Sequence, residues 1–313
     1  MSGFELHPGQ RVYVAGHGGL VGSAVWRHLA ACGFDNLIGW RSAELDLRER
    51  DAVFDAMLST KPDVVVVAAA RVGGILANAS EPVDFLNDNL RIQTNLFESA
   101  HSAGVDRLIF LGSSCIYPKL APQPIQESSL LTGPLEPTNE AYAVAKIAGI
   151  MAIKAYRQQY GRHWISAMPT NLYGPGDNFD LNRSHVLPAM IRKYHDAGVS
   201  GRPVVLWGTG SPMREFLHVD DLARAVSFLL EHYDDEQTIN VGTGTDVTIR
   251  GLAEIVAEVT GFTGETTWDS TKPDGTPRKL LDVSRLTGLG WQPEIGLREG
   301  IRSAYEWYLA NAA

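Results

Sequence analysis

The chain has 313 residues, 44% of them hydrophobic, with 27 basic against 36 acidic side chains and a formal net charge of −9. That length suits one large α/β domain or two smaller ones around a sizeable core, and the acidic balance argues against a non-specific nucleic-acid or anionic-membrane binder. Two cysteines, Cys32 and Cys115, make no disulfide framework and lack zinc-site spacing, the first residues lack a charged-then-apolar leader, and no apolar run nears the ~18 residues of a membrane span; the expectation is a soluble protein of a reducing, cytoplasmic compartment.

Along the chain, Arg11-Val-Tyr-Val-Ala15 reads as a short strand running into Gly16-His-Gly-Gly-Leu-Val-Gly22. A helix is expected from Ser23 to Cys32, stopped at Gly33, then a short strand from Leu37 to Trp40 and a helix from Asp51 to Thr60. Asp63 to Ala70 is a continuous β-branched run, as in a strand buried on both faces of a parallel sheet. A long helix from Asp84 to Ala103 closes at Gly104, and Arg107 to Ser113 is the next strand. Glu140 to Tyr160 is a second long helix closed by Gly161, and Trp164 to Met168 a fifth strand. This alternation predicts an α/β fold with a Rossmann-type doubly wound parallel sheet. From about Tyr173 to Pro212 the chain is rich in Gly, Pro and Asn, with one short helix, His185 to Ala197. Phe216 to Ala223 and Ile239 to Gly244 read as returns to the sheet, Thr248 to Thr260 as a helix, and Leu297 to Asn311 as the last helix. The second region is therefore a smaller, interleaved C-terminal α/β unit over the carboxyl edge of the sheet, where such folds bind ligands.

Gly16, Gly19 and Gly22 sit between a strand and a helix, a context in which glycines permit a tight turn and let backbone N–H groups approach a pyrophosphate. The loop Gly16, His17, Gly18, Gly19, Leu20, Val21 and Gly22 is accordingly a dinucleotide-binding candidate, with a merely structural turn as the alternative. The end of the second strand, Gly39-Trp40-Arg41-Ser42, offers no carboxylate for a ribose 2′-OH. Arg41 can instead meet a 2′-phosphate, which points to NADP(H).

Tyr142 and Lys146 lie four apart on a predicted helix, hence on one face. A nearby ammonium is expected to lower the tyrosine pKa and ease proton transfer to an alkoxide. Ser113 ends a strand, where its hydroxyl can donate to the same oxygen. Together they read as a carbonyl-reducing centre. Cys115 faces the same cleft, although most free cysteines are small buried hydrophobes; His185, at a helix start, is of a kind that usually lies on the surface or at a cap.

Five segments carry a resemblance over nearly the whole chain: Phe110-Leu-Gly-Ser-Ser-Cys-Ile-Tyr-Pro-Lys119, Glu136-Pro-Thr-Asn139, Met168-Pro-Thr-Asn-Leu-Tyr-Gly-Pro175, Pro212-Met-Arg-Glu-Phe-Leu-His-Val-Asp-Asp221 and Lys272-Pro-Asp-Gly-Thr-Pro-Arg-Lys-Leu-Leu-Asp282. They resemble the GDP-L-fucose synthase family, the GDP-4-keto-6-deoxy-D-mannose 3,5-epimerase/4-reductases of the extended short-chain dehydrogenases, whose GxxGxxG loop spacing the chain shares. The resemblance implies NADPH-dependent reduction at Ser113, Tyr142 and Lys146, and epimerisation with Cys115 and His185 as base and acid. It implies nicotinamide contacts from Pro169, Thr170, Asn171 and Leu172, with Lys146 and His185 also near the cofactor. GDP-sugar contacts would come from Lys193, Trp207, Arg214 and Asp274. Two positions depart from the pattern. Gly18 stands where the family often has an arginine, so NADP preference rests on Arg41, and Lys193 stands where arginine is frequent, which keeps the charge without the bidentate fork.

The implied division is an NADP-binding Rossmann domain over 1–174 and 214–244 and a GDP-sugar domain over 175–213 and 245–313. A homodimer is expected through the two long helices, as is typical of the family. The rival readings are another nucleotide-sugar 4-epimerase or 4,6-dehydratase of the superfamily, which recycles bound NAD without needing Cys115 and His185 together, and a non-catalytic NADP-binding sensor, which would tend to lose the Tyr142/Lys146 pair.

Overall fold

The computed structural model describes residues 4–181, 183–272 and 274–311; Asn182 and Pro273, within motifs quoted above, and the extreme residues 1–3 and 312–313 of the expected domains lie outside the described residues. The first half alternates as the β-branched and helical runs require: β1 (Val12–Ala15), α1 (Leu20–Ala31), β2 (Leu37–Ile38), α2 (Arg50–Thr60), β3 (Val64–Val67), α3 (Ile75–Ser80), α4 (Pro82–Ser102), β4 (Arg107–Leu111), α5 (Glu140–Tyr160), β5 (His163–Pro169) and β6 (Asn171–Tyr173). The second half runs α6 (Val186–Ser200), β7 (Val204–Trp207), β8 (Met213–Arg214), β9 (Phe216–His218), α7 (Val219–His232), β10 (Ile239–Val241), β11 (Val247–Thr248), α8 (Ile249–Thr260), β12 (Thr266–Asp269), β13 (Arg278–Lys279), α9 (Ser284–Gly288) and α10 (Leu297–Asn311).

Six strands form a parallel sheet in the order β10-β5-β4-β3-β1-β2. Successive residues of its central strands feed opposite cores, as strand geometry dictates. Val12, Val14, Val64, Val66, Ile109 and Leu111 pack towards α1 and α7. Tyr13, Ala15, Val65, Val67, Leu108 and Phe110 pack towards α2, α4 and α5. The sheet is thus covered on both faces, and the chain leaves β1 first to β2 on one side and then to β3 on the other. The crevice at the carboxyl ends of β1 and β3 is the place where an open α/β sheet takes a ligand. A third core, built by Leu187, Ile191 and Tyr194 of α6, Leu252 and Val256 of α8, and Ile301 and Tyr308 of α10, supports the strands beyond that crevice.

Two expectations need correction. Phe216 to Ala223 is not a return to the main sheet: only Phe216–His218 is extended, and it pairs in parallel with β6 in a separate two-stranded sheet. Val219 begins α7, because Leu222, Ala223, Val226, Leu229 and Leu230 recur at helical spacing and are buried, and because the His218 ring caps the helix by accepting the Asp220 N–H at 3.2 Å. The helix expected from Ser23 starts at Leu20, so that Gly22 lies inside its first turn. The Gly/Pro-rich stretch also holds β7, whose Val204 and Leu206 are buried while Val205 and Trp207 are not, and β7 pairs in parallel with β12.

One buried charge ties sheet to helix. Arg107, 1% exposed, donates to the carbonyls of Leu229, Leu230 and Tyr233 at the end of α7 and to that of His163, at 2.6–2.9 Å. A cation answers the unpaired carbonyls of a helix C-terminus, which explains how a guanidinium can be enclosed there. Among the described residues no helix is long and apolar enough to cross a membrane.

Candidate active site

The loop after β1 is shaped by what it must approach. Gly16 has φ +87° and lies so close to Ala69 that a Cβ would come within 2.8 Å of its backbone, and a Cβ on Gly22 would overlap the Gly16 carbonyl. Gly19 is the N-cap of α1, with no side-chain cap and no acidic residue in the first turn. Several N–H groups at a helix N-terminus therefore await an anion, and His17, Gly18, Leu20 and Val21 complete the cradle. Nothing lies within 4 Å of a Cβ built on Gly18, while His17 packs against Gly39, just past β2, and against Trp26 of α1. Arg41 lies three residues past the end of β2 and is exposed, with its own N–H donating to Glu44 at 2.7 Å. These residues fit a dinucleotide.

The carboxyl ends of β4 and β5 carry the reactive groups. Ser113 caps a single 3₁₀ turn, Ser114–Ile116, by accepting the Cys115 N–H at 3.4 Å, which holds the Cys115 thiol beside the serine hydroxyl. Tyr142 and Lys146 come from α5, one turn apart. The Lys146 ammonium donates to the Leu111 carbonyl at 2.8 Å and lies 5.9 Å from the Tyr142 ring centre. It is 3% exposed, and burial pulls its pKa down to about 8. Contrary to the expectation of a lowered phenol, burial and the nearby Cys115 push Tyr142 up, and the Ser113 hydroxyl pulls it back only in part. Lys146 is drawn towards Leu111 instead. Tyr142 thus rests as a protonated phenol, the form an acid needs.

Cys115 is 7% exposed, and burial raises its pKa; the ammonium groups of Lys279 and Lys146 and the Ser113 hydroxyl act the other way. His185 is the N-cap residue of α6, and burial and the same Lys279 lower its pKa. His185 is exposed and Tyr142 half-buried. The loop carrying His185 is seated on Gly74, whose N–H donates to the Arg183 carbonyl at 3.1 Å. Beside this centre, Pro169 ends β5 and Leu172 lies in β6. Between them Thr170 and Asn171 are fixed to the Glu215 carbonyl at 3.4 and 2.8 Å.

The expected sugar-nucleotide contacts line a path leading away. Lys193 donates to the Val205 carbonyl at 3.1 Å and stands 6.0 Å from the Trp207 ring. Asp274 holds the next turn, accepting from the Thr209 N–H at 2.7 Å and its hydroxyl at 2.8 Å. The segment from Asp274 then runs inward. A Cβ on Gly275 would lie 3.5 Å from the Arg214 guanidinium, Thr276 donates to Glu136 at 3.3 Å, and Lys279 pairs in register with Arg214. Sequence reasoning missed Lys279. It sits inside a quoted motif, but its burial and its reach to Cys115, His185 and Arg214 exist only once β13 is laid beside β8.

The NAD dependent epimerase/dehydratase family model matches residues 12–242. "GDP-L-fucose synthase 1" of Arabidopsis thaliana is 59% identical, with 96% of this chain and 94% of that one covered. "GDP-L-fucose synthase" of Escherichia coli (strain K12) is 53% identical over 96% and 97%. Among solved structures, a GDP-L-fucose synthetase from Naegleria fowleri bound to NADP superposes with a TM-score of 0.93 at 29% identity, covering 99% of this chain and 96% of that one. The parallel sheet, the glycine cradle, the Ser113/Tyr142/Lys146 centre and these relatives together show that the chain belongs to the NAD dependent epimerase/dehydratase family and, within it, to the GDP-L-fucose synthases.

Proposed function

We propose that this chain converts GDP-4-keto-6-deoxy-D-mannose to GDP-L-fucose, epimerising C3 and C5 and then reducing the C4 ketone. What supports this reading is that Cys115 is held beside Ser113 and that one cation, Lys279, acts on both acid/base candidates, Cys115 and His185. A plain reductase has no use for that pair.

Ser113 and Tyr142 hold the C4 oxygen and stabilise it as enolate and as alkoxide. The ketone acidifies the C–H bonds at C3 and C5. Cys115 removes a proton from one face, its thiolate favoured by Lys279 and Lys146. His185 returns a proton from the other face, inverting the carbon; once Cys115 has passed its proton to solvent and His185 has taken one back, the exchange repeats at the second carbon. Burial and, after it, Lys279 disfavour the His185 imidazolium; a diphosphate beside Lys279 and Arg214 offsets the Lys279 part of that penalty. NADPH, when bound in the α1 cradle, supplies the hydride. Tyr142 then gives its proton to the C4 alkoxide, with Lys146 behind it. Lys193, Trp207, Arg214 and Asp274 hold the GDP portion, the diphosphate lying on Arg214 and Lys279 because it needs cations. In this assignment the nucleotide domain spans 1–174 and 214–244 and the sugar domain 175–213 and 245–313.

The test mixes purified protein with the keto-sugar and NADPH, follows NADPH absorbance and identifies the sugar. GDP-L-fucose is the expected product. GDP-6-deoxy-mannose or its C4 epimer alone would leave a plain reductase, and tightly co-purified NAD without net reduction would leave an epimerase or dehydratase. The outer surfaces of α4 and α5 expose Val83, Val144, Met151 and Tyr160, apolar area that suits a two-fold helix pairing, so the chain is assigned as a homodimer. A monomer mass by sedimentation at micromolar concentration would overturn that assignment.

A further inference from the structure

Glu215 carries a negative charge into the interior and is 0% exposed. Its partners are three backbone N–H groups and the Thr243 hydroxyl, which donates at 3.4 Å, rather than a cation. One carboxylate oxygen accepts from Thr243 N at 2.6 Å and Gly244 N at 2.7 Å; the other accepts from Leu281 N at 3.1 Å. Only an acceptor-only group can serve all three donors, because an amide in the same place turns its NH₂ towards one of them. The neighbouring chain has been shaped around this group. A Cβ on Gly242 would overlap one carboxylate oxygen and stand 2.8 Å from its carbon and 3.0 Å from the other oxygen. Gly242 is therefore a glycine for room, since its φ is not left-handed.

The residue faces two ways. Its backbone carbonyl holds Thr170 and Asn171 on the cofactor side. Its side chain holds the turn after β10 and the chain just past β13. Glu215 directly follows Arg214, and Leu281 lies two residues after Lys279, so the carboxylate bolts together the ends of the two paired strands that carry these cations.

We propose that the Glu215 carboxylate is a positioning residue for the nucleoside diphosphate: it fixes the β8 and β13 ends so that Arg214 and Lys279 present two cations at one spacing, a role that falls on the diphosphate far more than on the cofactor. The inference rests on the assignment of those cations to the diphosphate.

The test is calorimetric titration of GDP, and separately of NADP, into wild type, Glu215→Gln, Gly242→Ala, Arg214→Gln and the Glu215→Gln/Arg214→Gln double variant. Gly242→Ala leaves the glutamate in the sequence but pushes its carboxylate away, and it carries the test if Glu215→Gln does not fold. The expected result is GDP binding weakened by about 10-fold or more in both Glu215→Gln and Gly242→Ala, with NADP binding within about 2-fold of wild type, and a double variant no more than about 3-fold weaker than its worse parent, as residues acting through one another require. GDP binding at the wild-type level in Glu215→Gln or Gly242→Ala overturns the proposal. So does an equal loss of GDP and NADP, which marks a merely structural role, and so do fully additive losses with Arg214→Gln. Wild-type GDP affinity in Arg214→Gln alone instead sinks the cation assignment beneath it.

Discussion

Replacing Lys146 with methionine should make the cofactor-free protein more stable and nearly inactive. The ammonium is 3% exposed and its pKa falls from the ordinary 10.5 to about 8. That gap, at about 1.4 kcal/mol per pH unit, means that holding the charge inside the fold costs about 3 kcal/mol. The lost hydrogen bond to the Leu111 carbonyl returns about 1 kcal/mol, so Lys146→Met should gain about 2 kcal/mol at pH 7. The pH dependence has a definite sign. Between about pH 8 and 10.5 the unfolded lysine still holds a proton that the folded one has released, so the wild type stabilises as pH rises through that window. The advantage of the variant is therefore full below about pH 8 and shrinks above it. Urea unfolding followed by tryptophan fluorescence at pH 7 and pH 10 measures this directly, and NADPH oxidation should fall by about 10²-fold or more as Tyr142 loses its cation. A variant less stable than wild type at pH 7, or an advantage that does not change with pH, would refute the reasoning.

Three further outcomes are expected. Cys115→Ser should abolish solvent-deuterium uptake at C3 and C5, a loss of about 10²–10⁴-fold for a removed general base; undiminished uptake by mass spectrometry removes Cys115 from the mechanism. Gly22→Ala places a methyl against the Gly16 carbonyl and should weaken NADP binding by roughly 10- to 100-fold, read by cofactor fluorescence, while leaving GDP binding in place. Arg107→Met abandons four carbonyls, whose bonds to the cation at about 1.5 kcal/mol each outweigh the roughly 3.5 kcal/mol by which burial depresses its pKa to about 10, so stability should fall by about 2–3 kcal/mol without a change in KM for either substrate in the protein that remains folded; a chemical denaturation midpoint equal to that of wild type would contradict it.

Much of the fold could be read from local chemistry, and the failures have physical causes. The helix from Glu140 to Tyr160 is found at its expected bounds, because a run of good helix formers ends at Gly161, whose φ is +67°. The helix expected from Asp84 begins two residues earlier at Pro82, a first-turn proline that was itself a start signal. At Phe216–Ala223 an apolar strand passes into an apolar helix without a break in hydrophobicity, so composition could not separate them. Ser113, Tyr142 and Lys146 announce themselves by spacing on single elements. Cys115 is a candidate by its place two residues from Ser113, but its pairing with His185, from a distant segment, comes only through resemblance. Lys279, Glu215 and Arg107 were missed for a shared reason: a charged residue reads as a surface residue until the fold shows which backbone groups or neighbours enclose it.

The first turn of α1 also has a consequence for the lifetime of the chain. With glycine at the N-cap and no side-chain cap, several N–H groups go unanswered until a phosphate arrives. A ligand that satisfies them adds RT ln(1 + [L]/Kd) to the folded state, about 2.7 kcal/mol at a hundredfold excess over Kd. A cell short of the dinucleotide therefore holds the same polypeptide in a looser form, more often open to proteases. Abundance, and not only turnover, is thereby tied to the supply of the dinucleotide, oxidised or reduced.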